Sequence, residues 1–189
     1  MKSNENNNAS VEEESKIIVY TSDQAHSSVQ KACMVLGVKN IRLIESSEVD
    51  YSIKVDKLKQ AIEQDLANGM KPCMVVGTIG TTATCAVDNI EAIGDLCAQY
   101  DLWLHIDAAY AGSALICPEF RAELAPSNCL AKTHSFNFNP HKWLLTNFDC
   151  SALWVKERKH LLNALSITPP YLRNKASESG LVTDYRDWQ

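Results

Sequence analysis

Short apolar runs alternate with segments of helical periodicity along most of this chain, and this alternation constrains its fold more than any other feature. The continuous apolar runs at residues 73–78 and 102–106 are typical of strands that are buried on both faces. Residues 55–66 carry apolar side chains at helical spacing and precede a glycine and a proline, which end a helix. Strands that alternate with helices predict an α/β fold, a mainly parallel sheet flanked by helices.

The same patterns locate the remaining elements. Further strands are predicted at residues 17–20, 41–44, 135–138 and 150–155, and a helix at residues 27–36. We expect Gly37 to close that helix, because glycine readily adopts the left-handed conformation that often follows a helix end. We expect Asp88, with Glu91 three residues later, to cap a further helix.

Composition indicates one domain behind a polar leader. Residues 1–16 are polar and acidic and lack apolar residues for a core, so we predict a disordered leader. We expect residues 17–189 to belong to one domain, because the chain has 189 residues of which 46% are hydrophobic. No apolar run approaches the roughly 20 residues that span a bilayer, and neither a signal peptide nor a membrane anchor is predicted. We therefore expect a cytoplasmic protein.

Charge and cysteine content exclude several function classes. A formal net charge of -5 argues against a nucleic-acid partner or an anionic membrane surface. The seven cysteines are odd in number and scattered, and no pair is separated by two residues. We predict reduced thiols, mostly in the core, instead of disulfides or zinc ligands.

Lys142 and Asp107 are the candidate reactive groups. Lys142 lies among apolar and aromatic residues, and such surroundings favour the neutral amine, a nucleophile for carbonyls in Schiff-base chemistry. Asp107 directly follows the apolar run at residues 102–106, and ligands of parallel sheets bind at the carboxyl ends of strands. We expect both groups to face one crevice. Taken singly, each has a simpler interpretation: a solvated surface lysine, and an aspartate that caps a turn.

Two long segments, residues 107–121 and 135–152, resemble the aromatic-L-amino-acid decarboxylase family, which uses pyridoxal 5'-phosphate (PLP). The first begins Asp-Ala-Ala-Tyr-Ala-Gly-Ser-Ala, and the second contains Asn-Pro-His-Lys-Trp. The resemblance implies an incomplete large domain of the fold type I PLP enzymes over residues 17–189, and a homodimer in the complete protein. It also implies decarboxylation of aromatic L-amino acids, such as L-DOPA, 5-hydroxytryptophan, tryptophan or tyrosine, to amines and carbon dioxide.

The resemblance assigns four residues to the cofactor. It implies that Lys142 attaches PLP covalently and that Asp107 pairs with the pyridine nitrogen, which keeps the ring protonated as an electron sink. His26 matches the histidine that stacks on the ring, and Ala109 matches the small residue that packs on the opposite ring face. Without the resemblance, His26 is interpreted as a surface or capping residue and Ala109 as an ordinary core residue.

Four further assignments follow from the same resemblance. Thr82 and Asn139 match polar positions that line the cofactor and substrate cavity. His141 is placed to assist proton transfer or to position the substrate. Residues 167–180 match a mobile catalytic loop, whose Tyr171 delivers a proton to the substrate carbon. Alone, Thr82 would be an ordinary turn residue and Tyr171 the anchor of a surface loop.

Three alternatives within the family stay open. Related aldehyde synthases typically change the position of His26 or Tyr171, and both residues are present here, which favours simple decarboxylation. Animal histidine decarboxylases carry serine at the position of His141, which favours aromatic substrates. Complete family members are longer at both ends, so we also expect that the 189 residues alone retain little PLP and are an inactive fragment.

An iron site is the alternative from another enzyme class. His105 and Asp107 are two residues apart on a predicted strand and share one face, and His134 or His141 would complete a two-histidine, one-carboxylate set. The oxygenases that use this set are built on antiparallel β-sandwiches, whereas this chain alternates strands with helices. We therefore predict no metal.

Overall fold

The computed structural model describes residues 12–126 and 129–165. The strands are β1 (Ile17–Ser22), β2 (Asn40–Ile44), β3 (Lys71–Thr78), β4 (Trp103–Asp107), β5 (Ser135–Phe138) and β6 (Ala152–Val155). The α-helices are α1 (Ser28–Leu36), α2 (Val55–Ala67), α3 (Ile90–Tyr100), α4 (Pro118–Leu124), α5 (Pro140–Trp143) and α6 (Arg158–Leu165), and 3-10 helices span Ala111–Ile116 and Cys129–Lys132. Each predicted strand and helix is present, with bounds shifted by at most a few residues.

The strands form one six-stranded sheet in the order β2-β1-β3-β4-β5-β6. The pairs β1–β2, β1–β3, β3–β4 and β4–β5 are all parallel. The carboxyl ends of these five strands therefore meet at one edge of the sheet. The predicted α/β fold with a mainly parallel sheet is confirmed.

Helices cover both faces of the sheet because the strands carry apolar side chains on both faces. On one face, Leu58 of α2 and Ile93 of α3 are fully buried in a large core with Tyr20 of β1. On the other face, Cys33 of α1 packs with Val19 and other apolar residues in a smaller cluster. This two-sided burial is what continuous apolar strands require.

Glycines end the first two helices. Gly37 follows α1 with φ 74°, and its N–H contacts the carbonyls of Cys33 and Met34, as predicted. Gly69 follows α2 with φ 72°. Pro72 does not itself end α2, because it lies inside β3, where the register with β1 shifts.

The predicted role of Asp88 is wrong. The residue that caps α3 is Asn89, whose side chain accepts a hydrogen bond from the Ala92 N–H at 3.1 Å. Asp88 is buried, and its two carboxylate oxygens accept hydrogen bonds from the N–H groups of Ile53 and Thr78, each at 2.7 Å. A buried carboxylate requires such donors, and here they come from two other segments.

The predicted leader is ordered in its described part. Residues 12–15 form a helical turn, and Glu13 pairs with Lys16 and Lys71. The prediction of disorder is therefore wrong for residues 12–16. Residues 1–11 lie outside the described residues.

The cysteine prediction is partly confirmed. All seven cysteines are free thiols, and Cys33, Cys97 and Cys129 are buried. Cys73 and Cys85 are exposed, because one lies at the start of β3 and the other in the loop that follows β3. The expected core location therefore holds for fewer than half of them.

The chain divides into two compact units after Trp154. The first contains the sheet as far as β6 and all candidate site residues that the structure describes. The described part of the second unit, residues 155–165, consists mainly of α6. Within the described ranges, no helix is long and apolar enough to cross a membrane.

Candidate active site

Four neighbouring strands bring the predicted site residues to one edge of the sheet. His26 follows β1, Thr82 follows β3, Asp107 is the last residue of β4, and Lys142 follows β5 on α5. In the sheet these strands are adjacent in the order β1-β3-β4-β5, and all of their pairings are parallel. The residues therefore share the carboxyl edge, where ligands of such sheets bind.

Backbone hydrogen bonds extend the pairing of β4 and β5 beyond the strand ends. The Ala108 N–H donates to the Asn137 carbonyl at 3.0 Å, and the Asn139 N–H donates to the Ala109 carbonyl at 3.2 Å. Asn139 then precedes α5, and the Lys142 N–H donates to its carbonyl at 3.0 Å. The segment that carries Lys142 is thereby held beside the segment that carries Asp107.

Asp107 is partly buried, and hydrogen bonds hold both its side chain and its backbone. Its Oδ1 accepts a hydrogen bond from the Ala109 N–H at 3.0 Å, and its backbone carbonyl accepts one from the Ile79 N–H at 2.9 Å. Within the part of the chain that the structure describes, Oδ2 has no hydrogen bond. One carboxylate oxygen is therefore available to a cation at the sheet edge.

Lys142 is exposed, contrary to the desolvation that we predicted around it. Its aromatic neighbour Trp143 packs edge-on against Tyr110 instead, with ring centroids 5.0 Å apart. Among the described residues, the Lys142 ammonium has no ion pair. The amine is accessible, and the chain itself leaves it in contact with water.

His26 and Thr82 are both exposed on loops at this edge. The Nδ1 atom of His26 lies 2.9 Å from Ser28 Oγ and accepts the Ser28 N–H at 3.2 Å, which fixes the ring at the start of α1. The neighbour of Thr82, Thr81, is buried, and its hydroxyl accepts the Ala86 N–H at 2.9 Å. The Thr81 hydroxyl therefore bridges two parts of this loop, and Thr82 lies on the exposed side of the loop.

Asn139 and His141 connect α5 to the segment that precedes β6. Asn139 Oδ1 accepts a hydrogen bond from Ser151 Oγ at 2.7 Å. His141 Nδ1 lies 2.7 Å from the Cys150 carbonyl oxygen and 3.0 Å from the Cys150 nitrogen, and a protonated Nδ1 donates to the carbonyl. The ring also contacts Phe148 edge-on, with centroids 4.7 Å apart. Tyr171 and residues 167–180 lie outside the described residues.

Sequence reasoning missed a polar cluster next to Asp107. His105, which we considered only as a metal ligand, contacts Ser135 Oγ at 2.8 Å through Nδ1 and Asn137 Oδ1 at 3.0 Å through Nε2. Burial lowers the pKa of His105, although the Asp107 carboxylate opposes this shift. The signal in the sequence was the alternation of polar and aromatic residues in β5.

The same contacts argue against the iron site. Both ring nitrogens of His105 are engaged by side chains of β5, and His134 Nδ1 accepts the Leu104 N–H at 3.0 Å. In the described ranges, no group of three His, Cys, Asp or Glu side chains is arranged to hold a metal ion. Coordination by His105 would require those hydrogen bonds to break.

Comparison with known proteins gives the family. A protein-family model described as the pyridoxal-dependent decarboxylase conserved domain matches residues 1–189. The chain belongs to this family. It is 55% identical to aromatic-L-amino-acid decarboxylase of Rattus norvegicus over 174 residues, which cover 92% of this chain and 35% of that protein. It is 46% identical to phenylacetaldehyde synthase of Arabidopsis thaliana over 177 residues, 92% of this chain and 36% of that protein.

The fold agrees with this membership. A crystal structure of Oryza sativa TDC with PLP and tryptamine superimposes with a TM-score of 0.86 and 41% identity, over 98% of this chain and 38% of that chain. The chain therefore spans about a third of the length of the relatives that it matches. The expected fold type I family of PLP-dependent decarboxylases is confirmed.

Proposed function

We propose that this chain supplies the cofactor-binding part of a PLP-dependent decarboxylase, which converts aromatic L-amino acids to amines and carbon dioxide. The observation that carries the proposal is the placement of Asp107 and Lys142 at the carboxyl ends of adjacent parallel strands. Each presents a group without a partner among the described residues: a carboxylate oxygen and an amine. Family membership and the aromatic-amino-acid decarboxylases among the relatives support the same conclusion.

The residues at this edge fit PLP, which carries an aldehyde, a pyridine nitrogen and a phosphate. The exposed Lys142 amine is the nucleophile for the aldehyde. The unengaged Oδ2 of Asp107 is the acceptor for a protonated pyridine nitrogen. Bound PLP supplies the electron sink for the electron pair that remains when carbon dioxide leaves.

Four residues at this edge would orient the cofactor ring and the substrate. Opposite charges about 4 Å apart attract by about 4 kcal/mol at an effective dielectric constant near 20, so Asp107 would hold the proton on a bound pyridine nitrogen. By the family resemblance, Ala109 would leave room for a flat ring on one face, and His26 would cover the other. Because the Cys150 carbonyl engages Nδ1 of His141, Nε2 is the nitrogen that remains for the substrate.

Exposed apolar side chains near Lys142 support an aromatic substrate and a homodimer. Trp143 is 44% exposed, Leu145 97% and Phe148 82%. Burial of such residues against a substrate ring or a second copy of the chain removes apolar surface from water. We infer that the active protein is a dimer whose second copy covers part of this surface.

Activity is best tested in a chimera, because the chain spans about a third of its relatives. In this chimera, the present sequence replaces the matching part of the Rattus norvegicus decarboxylase. We expect it to release amine and carbon dioxide from L-DOPA, 5-hydroxytryptophan, tryptophan or tyrosine. The isolated 189-residue chain is assayed in parallel for retained PLP and for amine. Absence of amine from the chimera, with the parent enzyme active, would contradict the proposal.

Covalent attachment of PLP is tested with Lys142→Ala in the same chimera. Borohydride reduction should fix PLP to Lys142 and to no other residue of the inserted segment, and Lys142→Ala should abolish this label. Lys57→Ala, which removes another exposed lysine, is the matched control and should leave the label unchanged. Labelling that persists in Lys142→Ala would refute the assignment.

An aldehyde synthase is the second candidate, because phenylacetaldehyde synthases are among the relatives. Such an enzyme consumes dioxygen and water and releases aldehyde, carbon dioxide, ammonia and hydrogen peroxide in place of amine. The same assay distinguishes the two reactions through oxygen consumption and peroxide. Amine without peroxide supports decarboxylation, and stoichiometric peroxide supports aldehyde synthesis.

A further inference from the structure

The turn that carries Lys142 is too short to hold its own position. α5 has four residues, Pro140–Trp143, and isolated helices shorter than about 12 residues are marginal in water. The Leu144 N–H donates to the Pro140 carbonyl at 2.8 Å, which closes the turn but ties it to no other segment. The position of Lys142 relative to Asp107 therefore depends on contacts that the turn makes with the rest of the fold.

Among the described residues, a backbone bond and a ring contact join this turn to the segment that follows β4. Before the turn, the Asn139 N–H donates to the Ala109 carbonyl at 3.2 Å. At its end, the Trp143 ring meets the Tyr110 ring edge-on, with centroids 5.0 Å apart and an interplanar angle of 78°. Such a pair is attractive because the positive edge of one ring faces the negative face of the other. The ring pair therefore anchors the end of the turn, one residue after the reactive lysine.

Tyr110 is itself held in the segment that carries Asp107. The Ala109 N–H donates to Asp107 Oδ1 at 3.0 Å, and the Gly112 N–H donates to the Ala108 carbonyl at 2.8 Å. The second bond spans Tyr110, whose φ of -93° and ψ of -69° lie in the helical region. The Tyr110 ring and the Asp107 carboxylate therefore project from one fixed stretch of backbone.

PLP requires a set spacing between the amine and the carboxylate that bind it. Its aldehyde and its ring nitrogen lie on opposite sides of one rigid six-membered ring, so the two protein groups must fit both at once. The Lys142 side chain is long, flexible and exposed, so the protein limits its reach through the backbone from which it starts. The ring pair joins that backbone to the segment of Asp107, and small displacements of binding groups weaken such a fit strongly.

We propose that Tyr110 is a positioning residue: its ring holds Trp143 and thereby fixes the backbone of Lys142 at a set distance from Asp107. This role rests on the proposed function. Tyr110 acts through Trp143 and is assigned no contact with the reacting atoms.

The anchoring is tested first without PLP, by amide hydrogen exchange of the 189-residue chain measured with NMR. The Leu144 N–H, which closes the turn, should be protected in the unaltered chain. Tyr110→Ala should speed its exchange about fivefold, the factor that corresponds to about 1 kcal/mol for one edge-on ring pair. Tyr110→Phe keeps the ring and should leave the exchange unchanged. Tyr51→Ala is the matched control, because Tyr51 is 45% exposed and lies between β2 and α2, at the other end of the strand order. An unprotected Leu144 N–H in the unaltered chain, or equal exchange in Tyr110→Ala, overturns the proposal.

Loss of the fold has its own signature in this experiment. If Tyr110→Ala also speeds the exchange of a buried strand amide such as that of Leu104 in β4, the whole chain has been destabilised. Trp143→Leu, which removes the same ring contact from a partner that is 44% exposed, then decides the question with the same two outcomes at Leu144.

The link to the cofactor is tested in the chimera by equilibrium dialysis with PLP. Tyr110→Ala should raise the dissociation constant severalfold, up to about fivefold, and Tyr110→Phe and Tyr51→Ala should not. Combination with Asp107→Asn shows whether Tyr110 acts on the spacing. In a misplaced turn fewer cofactor molecules contact both groups at once, so Asp107→Asn should weaken binding at least about twofold less in Tyr110→Ala than in the unaltered chimera. Unchanged binding in Tyr110→Ala, or effects of the two substitutions that simply add, would refute the positioning role and leave the proposed function standing.

The failure of the proposed function has a different signature. If neither the unaltered chimera nor any variant attaches PLP, although the parent enzyme does, then the cofactor assignment is wrong. The positioning role then fails with it, whatever exchange rates the NMR spectra show.

Discussion

Individual residues at the sheet edge differ in how firmly the chain holds them. Asp107 is held by the Ala109 N–H and by its own strand, whereas the Lys142 side chain is exposed and unpaired within the described residues. The carboxylate is therefore preorganised for a positive charge before any ligand binds. The amine depends on what binds there to remove it from water.

Asp107→Asn should slow decarboxylation strongly while covalent PLP attachment survives. Asparagine keeps the size of the side chain and an oxygen for the Ala109 N–H, but it removes the charge that holds the pyridine proton. Loss of about 4 kcal/mol of attraction corresponds to a rate lower by about 1,000-fold. Single-turnover amine formation in the chimera measures the rate, and borohydride fixation checks attachment. An unchanged rate would show that the carboxylate is only structural.

Asp88 should make stability depend on pH. Burial raises the pKa of Asp88 from 3.8 to about 6, although the N–H groups of Ile53 and Thr78 oppose the shift. Between these values the folded chain binds more protons than the unfolded chain, so the free energy of unfolding falls as pH rises from about 4 to about 6. At 1.36 kcal/mol per pKa unit, the loss is at most about 3 kcal/mol.

The measurement compares the unaltered chain with Asp88→Asn by urea unfolding from about pH 4 to about pH 7. The variant cannot ionise at this position, so its stability should lack this fall. If the free energy of unfolding changes with pH in the same way for both proteins, Asp88 does not titrate in this range.

At the scale of the elements, one ion pair joins β1, β2 and α2. Asp65 of α2 is buried and accepts hydrogen bonds from Arg42 of β2, at 2.8 and 3.1 Å, and from the Tyr20 hydroxyl of β1 at 2.9 Å. Burial, with the hydrogen bond to Asp65, raises the pKa of Tyr20, so the phenol stays protonated. The pair therefore fixes α2 against two strands of the sheet.

Two substitutions at this pair should differ in size. Asp65→Asn removes the charge that compensates Arg42 and should lower the free energy of unfolding by about 2–4 kcal/mol. Tyr20→Phe removes one hydrogen bond and leaves the ion pair, and should cost about 1 kcal/mol. Urea unfolding followed by circular dichroism measures both. If the two variants are equally stable, the ion pair of Asp65 with Arg42 contributes no stability beyond that of the Tyr20 hydrogen bond.

At the scale of the whole molecule, the apolar surface near Lys142 is the expected contact with a second copy. Leu145 is 97% exposed and has φ 55°, a conformation that aspartate tolerates better than leucine. Leu145→Asp therefore removes apolar contact area without added backbone strain. Burial of a leucine stabilises by about 2 kcal/mol, so a dimer that buries two should dissociate at least about 100-fold more readily.

Sedimentation velocity of the chimera over a range of concentrations measures this equilibrium. Val49→Asp is the control, because Val49 is 91% exposed and lies on the segment between β2 and α2. It should leave association unchanged. A Leu145→Asp dimer as stable as the unaltered one would place the interface elsewhere.

The strands and helices were predictable because their signals are local. A strand or helix shows its buried side chains as a period along the chain, and β5 was predicted with the bounds that the structure shows. Asp107 and Lys142 were identified by long motifs that resemble a known family. Their location at one edge also followed from the rule for parallel strands.

Tertiary structure alone decided which groups these residues contact. Asp88 looked like a helix cap until the fold brought the Ile53 and Thr78 N–H groups to it. His105 suggested a metal ligand until the register of β4 and β5 placed Ser135 and Asn137 against its ring. A periodic pattern determines which residues are buried, because burial depends on the position of a side chain within its own strand or helix. Hydrogen-bond partners come from distant segments, and only strand order and register bring those segments together.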